Sequence, residues 1–156
     1  MKNLLLIALF ASSFIAAQMP NISEVWQNNS KPYVGTIGNT TKEELKFKVN
    51  ISELNKKNDQ EYFLAGNSVV DKTSTKFEGK LTITKYKDGK KRSSVYGDYQ
   101  FAEEPMGKHS GIFKGKFVYT FIWNKNTQRI DQQYIAFIGD WKSYDGTLTY
   151  KTIWKN

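Results

Sequence analysis

Between Gly111 and Trp123 every second residue is apolar, aromatic or glycine: Gly111, Phe113, Gly115, Phe117, Tyr119, Phe121 and Trp123. A two-residue period sustained over such a run predicts a strand with one face withdrawn from water. The same period recurs along the chain. Leu45, Phe47, Val49 and Ile51 alternate with Lys46, Lys48 and Asn50, and Phe77, Gly79, Leu81 and Ile83 with Glu78, Lys80 and Thr82. Further faces are Val95, Gly97, Tyr99 and Phe101; Ile135, Phe137, Gly139 and Trp141; and Leu148, Tyr150, Thr152 and Trp154. Weaker runs at 33–38 and 61–66 bring the total to about eight strands. Asp88-Gly89 and Asp145-Gly146 fall between runs and read as hairpin turns. Ahead of the first strand, Val25 and Trp26 occupy a polar lead-in where a single helical turn fits. Most connections are short, so sequential strands are expected to pair as an antiparallel up-and-down meander, one all-β domain over 18–156.

Register carries the reading further. A three-residue turn, Lys87-Asp88-Gly89, would set Gly79 opposite Gly97. Equal parity at the next two connections sets Gly97 opposite Gly115 and Gly115 opposite Gly139. A four-residue turn at 143–146 then sets Gly139 opposite Tyr150. The expectation is a row of four glycines on the inner face, serving the coiling that a closing barrel needs. A length of about 40 Å for residues 112–123, at about 3.3 Å per residue, also favours closure over a flat sheet.

About eight meandering strands in a chain of this size, with Trp26 just ahead of the first, resemble the calycin superfamily, which includes lipocalins and avidins. The resemblance is one of architecture and covers nearly all of residues 18–156. It implies an up-and-down barrel with a ligand at its mouth. A lipocalin would carry Gly-x-Trp at its first strand, whereas here that spacing occurs as Gly139-Asp140-Trp141. No binding residue is therefore carried over from the family.

The N-terminus orders a positive residue, Lys2, an apolar run from Leu4 to Phe10, and small residues ending at Ala16 and Ala17. This is the pattern of a secretory signal peptide, 1–17, cleaved after Ala17. It predicts export, to a bacterial periplasm or beyond. The run is too short to span a bilayer. The chain has no cysteine, so an exported fold rests on packing and strand ladders without disulfides. The formal charge is +8, and loss of Lys2 leaves +7. Lysine supplies nearly all of it, Arg92 and Arg129 being the only arginines. This suits solubility and diffuse attraction to anions rather than base reading.

Sites of chemistry are sparse. His109, the only histidine, lies in EEPMGKHSG near Glu103 and Glu104 and reads first as a solvated loop residue. No metal-ligand spacing, nucleophile motif or phosphate-cradling loop is present, so neither metal nor cofactor is expected. The hairpin KYKDGKKRSS reads as a solubilising edge that could also touch an anionic partner; with few aromatics there, nucleic acid is not expected. Aromatics make up 15% of the chain. Buried tyrosine and tryptophan need partners for their polar atoms, which makes Tyr99, Tyr119, Trp123, Trp141 and Tyr150 the candidate ligand-binding residues. The leading expectation is an exported barrel that binds a small, largely apolar or aromatic ligand at its open end. The alternative is a protein-binding module, an inhibitor or immunity-type factor acting through loops such as EEPMGKHS. An enzyme built on His109 and a barrel with its apolar face towards lipid rank below both.

Overall fold

The computed structural model describes residues 20–156. The expected leader, 1–17, and its cleavage point lie outside them. A short helix α1, Ser23–Trp26, and a 3₁₀ turn, Asn28–Ser30, precede the first strand. Eight strands follow: β1 Tyr33–Ile37, β2 Glu43–Leu54, β3 Glu61–Val70, β4 Thr73–Lys87, β5 Ser93–Glu103, β6 Gly111–Asn124, β7 Arg129–Ser143 and β8 Thr149–Lys155. Each pairs antiparallel with the next, and β8 closes on β1 to complete the barrel. The fold is the expected all-β, up-and-down meander.

The alternating residues face inward. Phe77, Leu81, Val95, Tyr99, Phe101, Phe113, Phe117, Phe137 and Trp154 are all buried, while the interleaved lysines lie exposed on the outer wall. A wall bearing Lys46, Lys48, Lys76, Lys114 and Lys142 is the reverse of a lipid-facing barrel, whose apolar band is outside. Among the described residues no helix is long and apolar enough to cross a membrane.

Three bulges re-aim the strands. On β2, Asn50 is the extra residue between Val49 and Ile51, so Ile51 leaves the inward face on which it was expected and is 48% exposed. On β4, Thr84 is extra between Ile83 and Lys85, and on β7 Asp131 lies between the partners of Trp123 and Ile122.

The glycine row is a correction. Residues 88–92 join β4 to β5, two more than the expected turn, and the register moves with them, so Gly79 lies opposite Phe101; across the separate 104–110 connection, the β5–β6 register sets Gly97 opposite Phe117. Residues 144–148 likewise join β7 to β8, setting Thr152 rather than Tyr150 opposite Gly139. Only the Gly115–Gly139 pairing is as expected. In place of a row, glycines face aromatic residues across the strands: Gly66 and Phe77, Gly79 and Phe101, Gly97 and Phe117, Gly115 and Tyr99. A Cβ on Gly97 would sit 2.5 Å from the Phe117 ring, and one on Gly139 would sit 2.7 Å from the Tyr99 hydroxyl. At Gly66, Gly97 and Gly139 an aromatic side chain occupies part of the space a side chain would need, whereas at Gly79 and Gly115 a Cβ would meet the backbone of the neighbouring strand. The glycines therefore serve packing as well as curvature.

Candidate functional site

Inside the barrel, rings touch from one end towards the other. Trp26 meets Phe117 with centroids 5.2 Å apart, and Phe117 lies 6.0 Å from Phe137. Phe137 stacks on Trp154 at 5.3 Å, Trp154 on Phe47 at 4.9 Å, and Phe47 on Phe77 at 4.0 Å. Side chains fill the interior, as they do in many eight-stranded barrels.

The five candidate ligand-binding residues do not converge on one place. Tyr99 is buried mid-barrel, its ring against Phe101, Phe137 and Trp154. Tyr119 is buried next to Trp26, with its hydroxyl 3.5 Å from the Gln133 side chain; burial pushes its phenol up to about 12. Trp123 stands 47% exposed near the tip of β6. Trp141 and half-buried Tyr150 stack with centroids 5.7 Å apart at the opposite end. The barrel thus brings Trp141 to Tyr150 and separates the other three.

The two ends are closed by different chemistry. At one, Trp26 of α1 enters the barrel and packs edge-on against Tyr62, Phe117 and Tyr119. The lead-in is tied down by Tyr33 Oη–H donating to the Trp26 carbonyl at 2.9 Å, and by Ile22 N–H donating to Tyr62 Oη at 3.2 Å. At the other end Glu103, the last residue of β5, turns its carboxyl inward. Ser68 Oγ–H of β3 donates to Oε1 at 2.5 Å. Trp141 Nε1–H of β7 and the Gly111 N–H of β6 donate to Oε2 at 2.8 and 3.1 Å. Tyr144 Oη–H donates to the Glu103 carbonyl. One carboxyl thus gathers β3, β5, β6 and β7. Burial raises its pKa, opposed by the hydrogen bonds from Ser68, Trp141 and Gly111. His109 lies exposed in a 3₁₀ turn, Gly107–His109, and has no hydrogen bond to Glu103.

Sequence reasoning placed Glu103 in a loop beside His109. Its position as the odd member of the Val95-to-Phe101 alternation was the available signal for an inward side chain.

Beside Glu103, outside the barrel, lies an open groove of about 640 Å³. Its floor is the cross-strand row Ile51, Ala65, Glu78 and Ala102, where small residues let the wall dip. Lys76, Glu104, Pro105 and Tyr144 flank it. Among the described residues no three of His, Asp and Glu converge to hold a metal ion. Comparison with known proteins supplies no relative: no family model matches the chain, nor does any curated protein or solved structure. The resemblance to calycins therefore stands on the barrel alone.

Proposed function

We propose that the protein is an exported binding module that takes a protein partner on the outside of its barrel, at the groove beside Glu103. The observation that supports this reading is the contrast between an interior filled by the protein's own rings and a hollow left open on the wall. An open groove would leave much of a small ligand in water, whereas small-molecule sites bury most of theirs. A loop or side chain from a partner would be covered by the partner itself. Loops that border the groove on a rigid scaffold are suited to that role.

The test is cross-linked capture from the envelope and culture fractions of the native host, comparing the protein with Ala102→Arg. That substitution fills the groove floor from the half-buried outer side, and its cost to the fold should stay within about 0.5 kcal/mol. A stoichiometric partner captured by the parent and reduced at least about tenfold by the variant supports the reading. Capture that is equal for both, or no partner, overturns it.

A second reading, a small ligand inside the barrel, has one specific observation in its favour. Tyr99 Oη, Thr152 Oγ1, Trp26 Nε1 and Trp154 Nε1 are buried without a hydrogen-bond partner. Buried polar atoms are normally satisfied, so these mark where a small guest with polar atoms would find its contacts. Calycin kinship would favour the same reading. A stoichiometric adduct in native mass spectra of protein isolated gently from its own host would support it, and a bare mass would count against it.

A further inference from the structure

Twelve large apolar or aromatic side chains are exposed among the described residues, and five of them stand on two neighbouring hairpins at the Trp26 end. Tyr86 and Tyr96 belong to the β4–β5 hairpin; Trp123, Ile130 and Tyr134 belong to the β6–β7 hairpin. The register holds the two side by side. Lys85 is opposite Tyr96, and Lys87, Ser94, Thr120 and Tyr134 form one cross-strand row on the outer face. The β5–β6 ladder ends at Ser93 and Phe121, so the β6–β7 ribbon continues alone past the barrel wall, with Trp123 opposite Ile130 and Asn124 opposite Arg129.

The charge on this lobe is one-sided. Residues 84–96 and 121–134 contain seven basic side chains, Lys85, Lys87, Lys90, Lys91, Arg92, Lys125 and Arg129, against two acidic ones, Asp88 and Asp131. All seven are exposed, and among the described residues no ion pair involves any of them. The two carboxylates are engaged by neutral donors: Ser93 Oγ–H to Asp88 and Asn124 Nδ2–H to Asp131.

We propose that this lobe docks the protein peripherally on an anionic lipid surface, with Trp123, Ile130 and the tyrosines at headgroup depth and the lysines on the phosphates. Tryptophan and tyrosine favour the membrane–water boundary because one end of each is apolar and the other can stay wet. Lysine stems lie along apolar surface while their ammonium groups reach outward. An interface for a folded acidic protein would place an apolar centre inside a polar rim. Here basic side chains flank the apolar ones, Lys85 and Lys87 beside Tyr86 and Arg129 beside Ile130, so that apolar area and positive charge reach one boundary together, the two contributions that peripheral lipid binding combines. Stacking of nucleic-acid bases would not account for Ile130, which has no π-face.

The experiment is co-sedimentation of the purified protein with vesicles at low ionic strength. It compares phosphatidylcholine alone with a mixture containing about one-third phosphatidylglycerol. Trp26, Trp141 and Trp154 are buried, so a blue shift of emission on binding reports Trp123. Binding is expected on the anionic vesicles only, with a blue shift, and with release as salt shortens the screening length. Lys87→Gln/Lys90→Gln/Lys91→Gln should weaken it about a hundredfold, each lysine near an anionic surface being worth about fivefold. Trp123→Ala should abolish the shift and weaken binding with near-ultraviolet dichroism showing the fold intact, since the residue lies outside the core. The proposal is overturned by no sedimentation, by equal binding to phosphatidylcholine alone, or by salt-sensitive association that leaves Trp123 unshifted and is matched by a soluble polyanion.

Discussion

The barrel's two ends solve the same closure problem with opposite chemistry. At the Glu103 end, one carboxyl accepts from the backbone of neighbouring β6 and from side chains on β3 and β7, so directional bonds also join strands that are not sequence neighbours. At the Trp26 end the closure is an indole inserted among Tyr62, Phe117 and Tyr119, whose own N–H has no partner. The difference teaches where each end is vulnerable. The aromatic end depends on volume and tolerates a polar atom left unmatched. The carboxyl end depends on keeping an acceptor in place and responds to protonation.

Removing volume at the aromatic end should have the largest effect. Trp26 is fully buried, so Trp26→Ala leaves a cavity flanked by three rings and should cost about 3–5 kcal/mol in chemical denaturation. Trp26→Phe keeps an aromatic ring and discards the unpartnered N–H, so its cost should be well below that of alanine. Equal losses for the two variants would break the volume account of this end.

The Glu103 end comes next. Glu103→Ala strands the Trp141 N–H and the Gly111 N–H, leaves the Ser68 hydroxyl only its longer contact to the Thr75 carbonyl at 3.4 Å, and should cost about 3 kcal/mol. Glu103→Gln retains an acceptor oxygen and can donate its amide to Ser68, so it should cost about 1 kcal/mol or less. The pH dependence separates the two roles of the carboxyl. Its folded pKa is raised by burial, so the folded state holds the proton more tightly than the unfolded chain, where glutamate titrates near about 4.3. This contribution to stability is fully present below the unfolded value and is lost as pH rises through the higher folded value. Glu103→Gln should remove that segment of the stability–pH curve and leave the remainder unchanged. An unaltered curve would show that the carboxyl titrates as it would in water.

How much of this was legible depends on what each feature needs. The strand faces followed from period alone, because one buried side forces alternation whatever the partner strand is. Register did not. It depended on the length of residues 88–92 and on the bulge at Thr84, and nothing in the composition of KYKDGKKRSS marks where pairing stops. Missing both, together with the β5–β6 offset across residues 104–110, turned a staggered set of glycine–aromatic pairs into a supposed glycine row. Trp26 was visible as an apolar residue before the first strand, but its place inside the barrel is a tertiary fact. The five tyrosines and tryptophans were chosen for needing polar partners. Trp141 meets that need through Glu103, and Tyr99 does not, a distinction set by which residues the closed barrel brings across from distant strands.

The smallest expected effect is at Tyr99, between the two ends, and it carries the most information about the interior. Its hydroxyl lies over Gly139 and near enough to the Thr152 hydroxyl to oppose the upward push of burial on the phenol, but the two oxygens do not meet in hydrogen-bonding geometry and neither has another partner. A buried hydroxyl with no partner contributes only its desolvation cost, so Tyr99→Phe should be neutral or stabilise by up to about 1 kcal/mol. Thr152→Val should behave alike, and the double variant should be additive to within about 0.5 kcal/mol, since no bond couples the two groups. A loss of about 1 kcal/mol or more in each single variant, with strong coupling between them, would mean that something bridges the two hydroxyls. In that event the interior would resemble the Glu103 end in relying on satisfied polar contacts. The small-ligand reading would then gain over the groove.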